Sequence, residues 1–137
     1  MNAPRWGIVL AVTAACWSSA ALAQGVIERV KAGGKIVIAH RESSVPFSYV
    51  DPATKKPVGY ALDLCLKLAD AVGKKAGVRN VPVEFLQVTP ANRIAMVEQG
   101  KADMECGSTT NNAERRELVA FTIPHFITGA RLLVKAD

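Results

Sequence analysis

Apolar and polar residues follow two different periods along the chain, and together they predict alternating helices and strands. The β-branched run at 35–40 is typical of a buried strand. The segment 60–75 is typical of a helix that Gly77 closes, and it repeats apolar residues on one face at helical spacing: Ala61, Cys65, Leu68 and Val72. The other predicted elements are helices at 26–32, at 90–99 and from 112, and strands at 81–88, 102–106 and 130–135. Residues 41–57 are predicted as a loop.

This order of elements favours one class of fold. Strands that alternate with helices predict an α/β domain, with a mainly parallel sheet flanked by helices and right-handed crossovers. The chain stops at Asp137, directly after the last predicted strand and without a closing element. We therefore expect residues 24–137 to be the N-terminal part of a longer protein.

The first 23 residues have the pattern of a cleavable signal peptide. Arg5 supplies the positive charge, residues 7–16 form a short apolar core, and Ala21-Leu22-Ala23 matches a small-residue cleavage site. The apolar stretch is shorter than the roughly 20 residues that span a bilayer. Cys16 allows the alternative of an acylated lipoprotein signal. Both interpretations predict an exported protein, and the first predicts the periplasm.

Charge and composition indicate that the partner is not a nucleic acid. The net charge of +5 is spread along the chain without a basic block, aromatic residues make up 6%, and both tryptophans lie in the signal segment. Nucleic-acid binding needs a basic surface with stacking aromatics, so the sequence predicts no such partner.

The remaining chemistry-bearing residues indicate no metal and no cofactor. Cys65 and Cys106 have only His40 and His125 beside them, at no metal-ligand spacing, and no glycine-rich phosphate loop occurs. Export permits a disulfide between the two cysteines, but small core residues explain them equally well.

An anion site is indicated where the predicted strand at 102–106 ends. Ser108 and Thr110 follow in a hydroxyl-rich turn, and Asn111 with Glu114 has the spacing of a helix capping box. Arg115 then lies in the first turn, where its charge opposes the helix dipole unless an anion offsets it. The alternative is a solvated surface arginine on a capped helix.

Two further arginines occupy similar junctions. Thr89 is the predicted cap of a helix, and Pro90 is its predicted first residue. Arg93 then lies in the first turn of that helix. Arg41 directly follows the strand at 35–40. Ligands of open α/β sheets bind outside the carboxyl ends of strands. Three arginines at such ends predict a site for carboxylates, which guanidinium groups bind through paired hydrogen bonds.

Several motifs carry a resemblance to a known family. They are His40-Arg-Glu-Ser-Ser-Val-Pro-Phe-Ser-Tyr49, Val58-Gly-Tyr60 with Asp63, Asn92-Arg-Ile94, and Glu105-Cys-Gly-Ser-Thr-Thr-Asn-Asn112. Across about residues 26–135 the sequence resembles the periplasmic glutamate/aspartate-binding proteins. These belong to the family-3 solute-binding proteins of polar amino acid ABC importers.

The resemblance implies a type II periplasmic-binding-protein fold of two lobes that close on the ligand. Family members are about twice this length, so the chain corresponds to most of lobe one, with lobe two absent. The implied partners are L-glutamate or L-aspartate and an inner-membrane ABC permease, without catalysis.

The resemblance also implies roles for individual residues. Arg115 would bind the α-carboxylate, and Ser108 and Thr110 would contact the α-carboxylate and α-ammonium. Arg41 and Arg93 would receive the side-chain carboxylate. Family members often have a serine where this chain has Pro90, and Thr89 is a candidate to replace its hydroxyl. Glu42 and Glu105 are candidate partners of the ammonium, although a structural or solvated role suits each better.

Three alternatives stay open at this level. They are the sensory domain of a membrane receptor, a dehydratase-like enzyme on the same scaffold, and an exported fragment without retained activity. The enzyme needs a positioned acid or base, and the sequence offers no clear pair.

Overall fold

A computed structural model describes residues 25–129 and 132–136. Its centre is a parallel sheet of three strands in the order β5-β1-β6. The strands are β1 at Ile36–Arg41, β5 at Val83–Val88 and β6 at Met104–Glu105. Strand β1 lies in the middle, so its apolar side chains are covered on both sides, and Ile36, Ile38 and Ala39 are fully buried.

In the part of the chain that the structure describes, four helices accompany the sheet: α1 at Val26–Lys31, α2 at Tyr60–Ala76, α3 at Arg93–Glu98 and α4 at Ala113–Arg116. The α/β alternation and the parallel sheet predicted from the sequence are confirmed. Helix α2 ends at Gly77 in the left-handed conformation, as expected.

One residue of the predicted buried face of α2 lies elsewhere. The face that packs on the core carries Leu62, Ala69 and Ala76, whereas Leu68 is 44% exposed. The prediction for Leu68 is wrong because neighbouring helix positions lie about 100° apart, and the buried stripe is centred near Ala69, which leaves position 68 at its edge.

The segment predicted as a loop contains a second, small sheet. Strands β2 (Ser43–Ser44), β3 (Ser48–Val50) and β4 (Pro57–Val58) pair antiparallel. This sheet ends against Gly59, whose φ of +135° only glycine adopts easily. A Cβ atom there would lie 2.5 Å from the carbonyl oxygen of Phe47, so the Val58-Gly-Tyr60 motif allows a close backbone approach.

The two cysteines form a disulfide, which answers the question that the sequence left open. Cys65 of α2 is bonded to Cys106, and their Cα atoms are 6.4 Å apart. Cys106 directly follows β6. The bond therefore fixes the end of that strand to the longest helix.

The last predicted strand is not present in the described part of the chain. Residues 130 and 131 lie outside it, and residues 132–136 form no strand. Leu132 and Leu133 are 93% and 101% exposed. A strand exists only through hydrogen bonds to a neighbouring strand, and these residues pair with none that the structure describes. The signal segment at 1–23 also lies outside the described residues.

Candidate functional site

Three chain segments meet at one edge of the central sheet, because β1, β5 and β6 are parallel and their carboxyl ends point the same way. Arg41 is the last residue of β1. Thr89 follows β5, and Cys106 follows β6. The predicted site residues all lie on these segments or just after them.

The junction after β5 is closed by reciprocal hydrogen bonds. The backbone N–H of Thr89 donates to Asn92 Oδ1 at 2.8 Å, and the N–H of Asn92 donates to Thr89 Oγ1 at 3.3 Å. Thr89 thus caps this turn as predicted, although regular helix begins only at Arg93. The closed turn directs the Arg93 side chain inward, where the residue is 8% exposed.

The second junction is capped one residue later than predicted. Asn112, and not Asn111, is the N-cap of α4, and its Oδ1 accepts from the Arg115 N–H at 2.9 Å. The Asn111 side chain instead accepts from Arg116 Nη1 at 2.9 Å. Two adjacent asparagines satisfy the capping pattern equally well in sequence, and the backbone conformation decides between them.

The turn between Gly107 and Asn111 holds the predicted hydroxyl groups. Ser108 and Thr110 are exposed, and Arg115 Nη1 donates to the carbonyl oxygen of Thr110 at 2.8 Å. Thr109 was not predicted as a site residue. Its Oγ1 is buried and has no hydrogen-bond partner among the described residues.

The three arginines at this edge of the sheet interact electrostatically. Burial lowers the pKa of the Arg93 guanidinium, the Glu105 carboxylate opposes this, and the charges of Arg115 and Arg41 lower the pKa further. Arg93 Nε also has no hydrogen-bond partner among the described residues. Arg41, Arg93 and Arg115 thus follow or end the strands at one edge of the sheet, and we call these three residues the arginine cluster.

Glu105 belongs to the same neighbourhood, although the sequence favoured a structural or solvated role. Its Oε1 is buried without a hydrogen-bond partner in the described part of the chain. A Cβ atom at Gly107 would lie 2.6 Å from this oxygen and 3.4 Å from Arg41 Cγ. The glycine therefore leaves room for both side chains. The strand register, which pairs Ala39 with Glu105, places this acid near the end of β1.

A cavity of about 690 Å³ lies beside the turn. Its walls include the turn 107–111, residues 119–128, Leu68 of α2 and Phe47. The Phe47 ring packs edge-on against Phe126, with 4.9 Å between centroids. Ser108 and Thr110 line this cavity, whereas the three arginines do not. The turn after β6 is thus the wall that the cavity and the arginine cluster share.

Chemically, the site is suited to anions. Helices α3 and α4 have only six and four residues, so their dipoles add little and the guanidinium groups dominate. Within the ranges that the structure describes, no three His, Cys, Asp or Glu side chains could hold a metal ion. No helix there is long and apolar enough to cross a membrane.

The comparisons with known proteins identify the class. The model of the bacterial extracellular solute-binding proteins, family 3, matches residues 36–137, and the chain belongs to this family. The L-glutamate/L-aspartate-binding protein of Pseudomonas aeruginosa is 41% identical over 128 residues. That match covers 91% of this chain and 42% of the relative, so the chain spans about two fifths of that protein's length.

Solved structures show the same fold. An ancestral cyclohexadienyl dehydratase superposes with a TM-score of 0.63 over 74% of this chain and 39% of that one, at 24% identity, and this likeness concerns the fold alone. An arginine-bound form of domain 1 from TmArgBP superposes with a TM-score of 0.62 at 26% identity. This superposition covers 73% of this chain and 71% of the domain. The predicted fold class, one lobe of a type II periplasmic binding protein, is confirmed.

Proposed function

We propose that this chain forms the first lobe of a periplasmic solute-binding protein that captures L-glutamate or L-aspartate for an ABC importer. The observation that carries the proposal is the arginine cluster, in which Nε of the buried Arg93 has no hydrogen-bond partner among the described residues and two further guanidinium charges act on Arg93. Leaving a buried donor unpaired is costly. A ligand carboxylate is the group that would satisfy it.

The number of charges agrees with a dicarboxylic amino acid. Such a ligand has two carboxylates and one ammonium, and three guanidinium groups can receive both carboxylates through paired hydrogen bonds. The Pseudomonas aeruginosa relative is an L-glutamate/L-aspartate-binding protein, which supports this ligand class.

We assign the two carboxylates to different arginines. Arg115 binds the α-carboxylate, because its guanidinium already reaches the turn at Thr110, beside the exposed Ser108. These hydroxyl groups complete the α-carboxylate and α-ammonium contacts. Arg93 and Arg41, at the ends of the other two strand segments, receive the side-chain carboxylate.

Calorimetric titration of the purified protein tests this division. Arg115→Ala should abolish binding of both glutamate and glutamine, because both ligands have the α-carboxylate. Arg41→Met should weaken glutamate by about 100-fold and glutamine by less than about threefold, as expected for one lost charged contact.

The matched control for these variants is Arg116→Ala. This neighbouring arginine is exposed and donates to the side chain of Asn111. It should change neither affinity by more than about twofold. Equal losses of glutamate and glutamine in Arg41→Met would contradict the assignment.

The partners and the location follow from the same proposal. The binding protein delivers its ligand to an inner-membrane permease and is exported through the signal segment 1–23. We expect the protein recovered from the periplasm of its native source to begin at Gln24 by mass spectrometry. A mature protein acylated at Cys16 would show that the lipoprotein alternative holds instead.

We further propose that the protein binds without catalysis. The family comprises solute-binding proteins. The ancestral dehydratase shares the fold, which by itself assigns no chemistry. We expect no turnover of prephenate by the purified protein, and measurable turnover that Arg115→Ala removes would overturn this part.

A further inference from the structure

The central strand β1 extends beyond its neighbour β6 at the edge where the site lies. Ala39 accepts a hydrogen bond from the backbone N–H of Cys106 at 3.0 Å, and the register with β6 ends at the pair of Ala39 and Glu105. Alternate residues of a parallel strand direct their backbone groups to the same neighbour, so Arg41 is the next residue that faces this side. Its N–H and C=O lie past the last residue of β6 and need other partners.

Two buried side chains supply these partners. Ser48 is fully buried, and its Oγ accepts from the Arg41 N–H at 2.9 Å. His40 is 5% exposed, and its Nδ1 lies 3.0 Å from the Arg41 carbonyl oxygen. Because a carbonyl oxygen only accepts, His40 donates from Nδ1 in this contact. Both polar groups of the Arg41 backbone are therefore held by side chains.

The surrounding structure holds these two side chains without help from a ligand. Ser48 begins β3, and the hairpin with β2 pairs it with Ser44. A Cβ atom at Gly59 would lie 2.9 Å from the Ser48 backbone nitrogen, so the glycine allows β3 to be approached closely from its other side. The His40 ring packs edge-on against Phe85 of β5, with 6.0 Å between centroids. The small sheet thus serves to present Ser48 to the end of β1.

The residue that is held in this way faces the other side-chain arginine. Side chains alternate between the two faces of a strand, so Arg41 lies on the same face as Ala39. Ala39 belongs to a core cluster against which Met96 and Val97 of α3 pack. Helix α3 begins with Arg93. Arg41 therefore lies on the face of the sheet that carries α3.

We propose that Ser48 and His40 are positioning residues that together fix the direction of the Arg41 guanidinium and thereby set the preference for an acidic side chain over its amide. This inference rests on the proposed function and deepens it. Both residues are buried, so they act through the Arg41 backbone and not as ligand contacts. Charged contacts require placement to within about 0.5 Å, which a backbone held at both polar groups provides.

Ser48→Ala tests the inference because it removes the acceptor of the Arg41 N–H. We expect glutamate to bind about tenfold more weakly in calorimetric titrations and glutamine to change by less than about threefold, as for one lost buried hydrogen bond that acts on the side-chain contact alone. Retained glutamine binding also shows that the variant is folded. The matched control is Ser43→Ala, an exposed serine of the same hairpin, which should change neither affinity by more than about twofold.

Two variants of His40 separate positioning from packing. Asparagine places an amide nitrogen near the position of Nδ1 and can still donate to Arg41, whereas leucine cannot. We expect His40→Leu to weaken glutamate about fivefold and His40→Asn to recover most of this loss. In the Arg41→Met protein, neither Ser48→Ala nor His40→Leu should weaken glutamate further. A further loss in that background, or equal losses of glutamate and glutamine, would overturn the inference.

Hydrogen exchange of the ligand-free protein tests the positioning contact by itself. Ser48→Ala should increase the exchange rate of the Arg41 amide about tenfold, and Ser43→Ala should leave it unchanged. An unchanged Arg41 amide in Ser48→Ala would contradict the proposed role of Ser48. If the unaltered protein binds no acidic amino acid, the proposed function fails, while this measurement still tests the contact between Ser48 and Arg41.

Discussion

The two strand-to-helix junctions of the site have similar sequences but different structures. Each has a capping residue followed by an arginine in the first turn. The junction after β5 buries Arg93 and closes its turn with reciprocal side-chain bonds. The junction after β6 leaves Arg115 partly exposed, bonded to a backbone oxygen, before a helix of only four residues.

Under the proposed roles, this difference predicts that the two arginines bind their carboxylates in different ways. Because Arg93 is buried in the ligand-free protein, we expect it to lose little conformational entropy when a carboxylate binds. Arg115 is partly exposed and belongs to a helix of only four residues. We therefore expect Arg115 to lose more conformational entropy than Arg93 when a carboxylate binds.

The variant with the largest expected effect on this comparison removes the disulfide beside the second junction. The Cys65–Cys106 disulfide closes a loop with a sequence separation of 41 residues. By the chain-entropy relation, its loss should lower the free energy of unfolding by about 4 kcal/mol. We expect Cys65→Ala/Cys106→Ala to show this decrease in urea titrations.

The disulfide variant also has a local consequence. Because Cys106 is followed directly by the turn 107–111, the variant should weaken the contacts of Arg115 more than those of Arg93. Hydrogen exchange should therefore increase at residues 107–116 and remain unchanged at residues 89–93. Equal changes at both junctions would show that the disulfide stabilises the fold as a whole and not the second junction in particular.

The next test exchanges each arginine for lysine. Arg93→Lys places a strongly hydrated ammonium where only 8% of the residue is exposed, and we expect a loss of about 2 kcal/mol in the ligand-free protein. Arg115→Lys occupies a partly exposed position and should cost less than about 0.5 kcal/mol. Similar losses, measured by thermal unfolding without ligand, would contradict the contrast between the two junctions.

The sequence predicts elements with long apolar patterns well, and it does not predict short strands that depend on pairing. The strand β1 and the helix α2 have long apolar patterns, and both were predicted nearly to their ends. The small sheet within 41–57 was missed because its strands are two or three residues long and have no apolar alternation. Such strands depend on pairing with one another, which periodicity does not record.

The candidate site was predictable in its residues but not in its burial. Arginines at strand ends are visible in the sequence, and their convergence follows from parallel strands. The ligand roles of Arg41, Arg93, Ser108, Thr110 and Arg115 remain predictions. That Arg93 is buried while Arg115 is partly exposed depends on packing from several segments. No local pattern encodes that packing.

A smaller effect is expected at the reciprocal cap of the first junction. Asn92→Ala removes the acceptor of the 2.8 Å bond from the Thr89 N–H and should cost about 1 kcal/mol in urea unfolding. Asn92→Asp keeps an acceptor oxygen and should recover most of this loss. If the aspartate variant is as unstable as the alanine variant, the cap is not what holds the first junction closed.

The smallest effect distinguishes the two adjacent asparagines of the second junction. Asn112→Ala removes the acceptor of the Arg115 N–H, whereas Asn111→Ala removes only a contact to the exposed Arg116. Because α4 is a single turn, losing its cap should cost only about 0.5 kcal/mol. This corresponds to an increase of about twofold in the hydrogen exchange of the Arg115 amide. The Asn111 variant should leave that amide unchanged, and the reverse result would restore Asn111 as the cap that the sequence predicted.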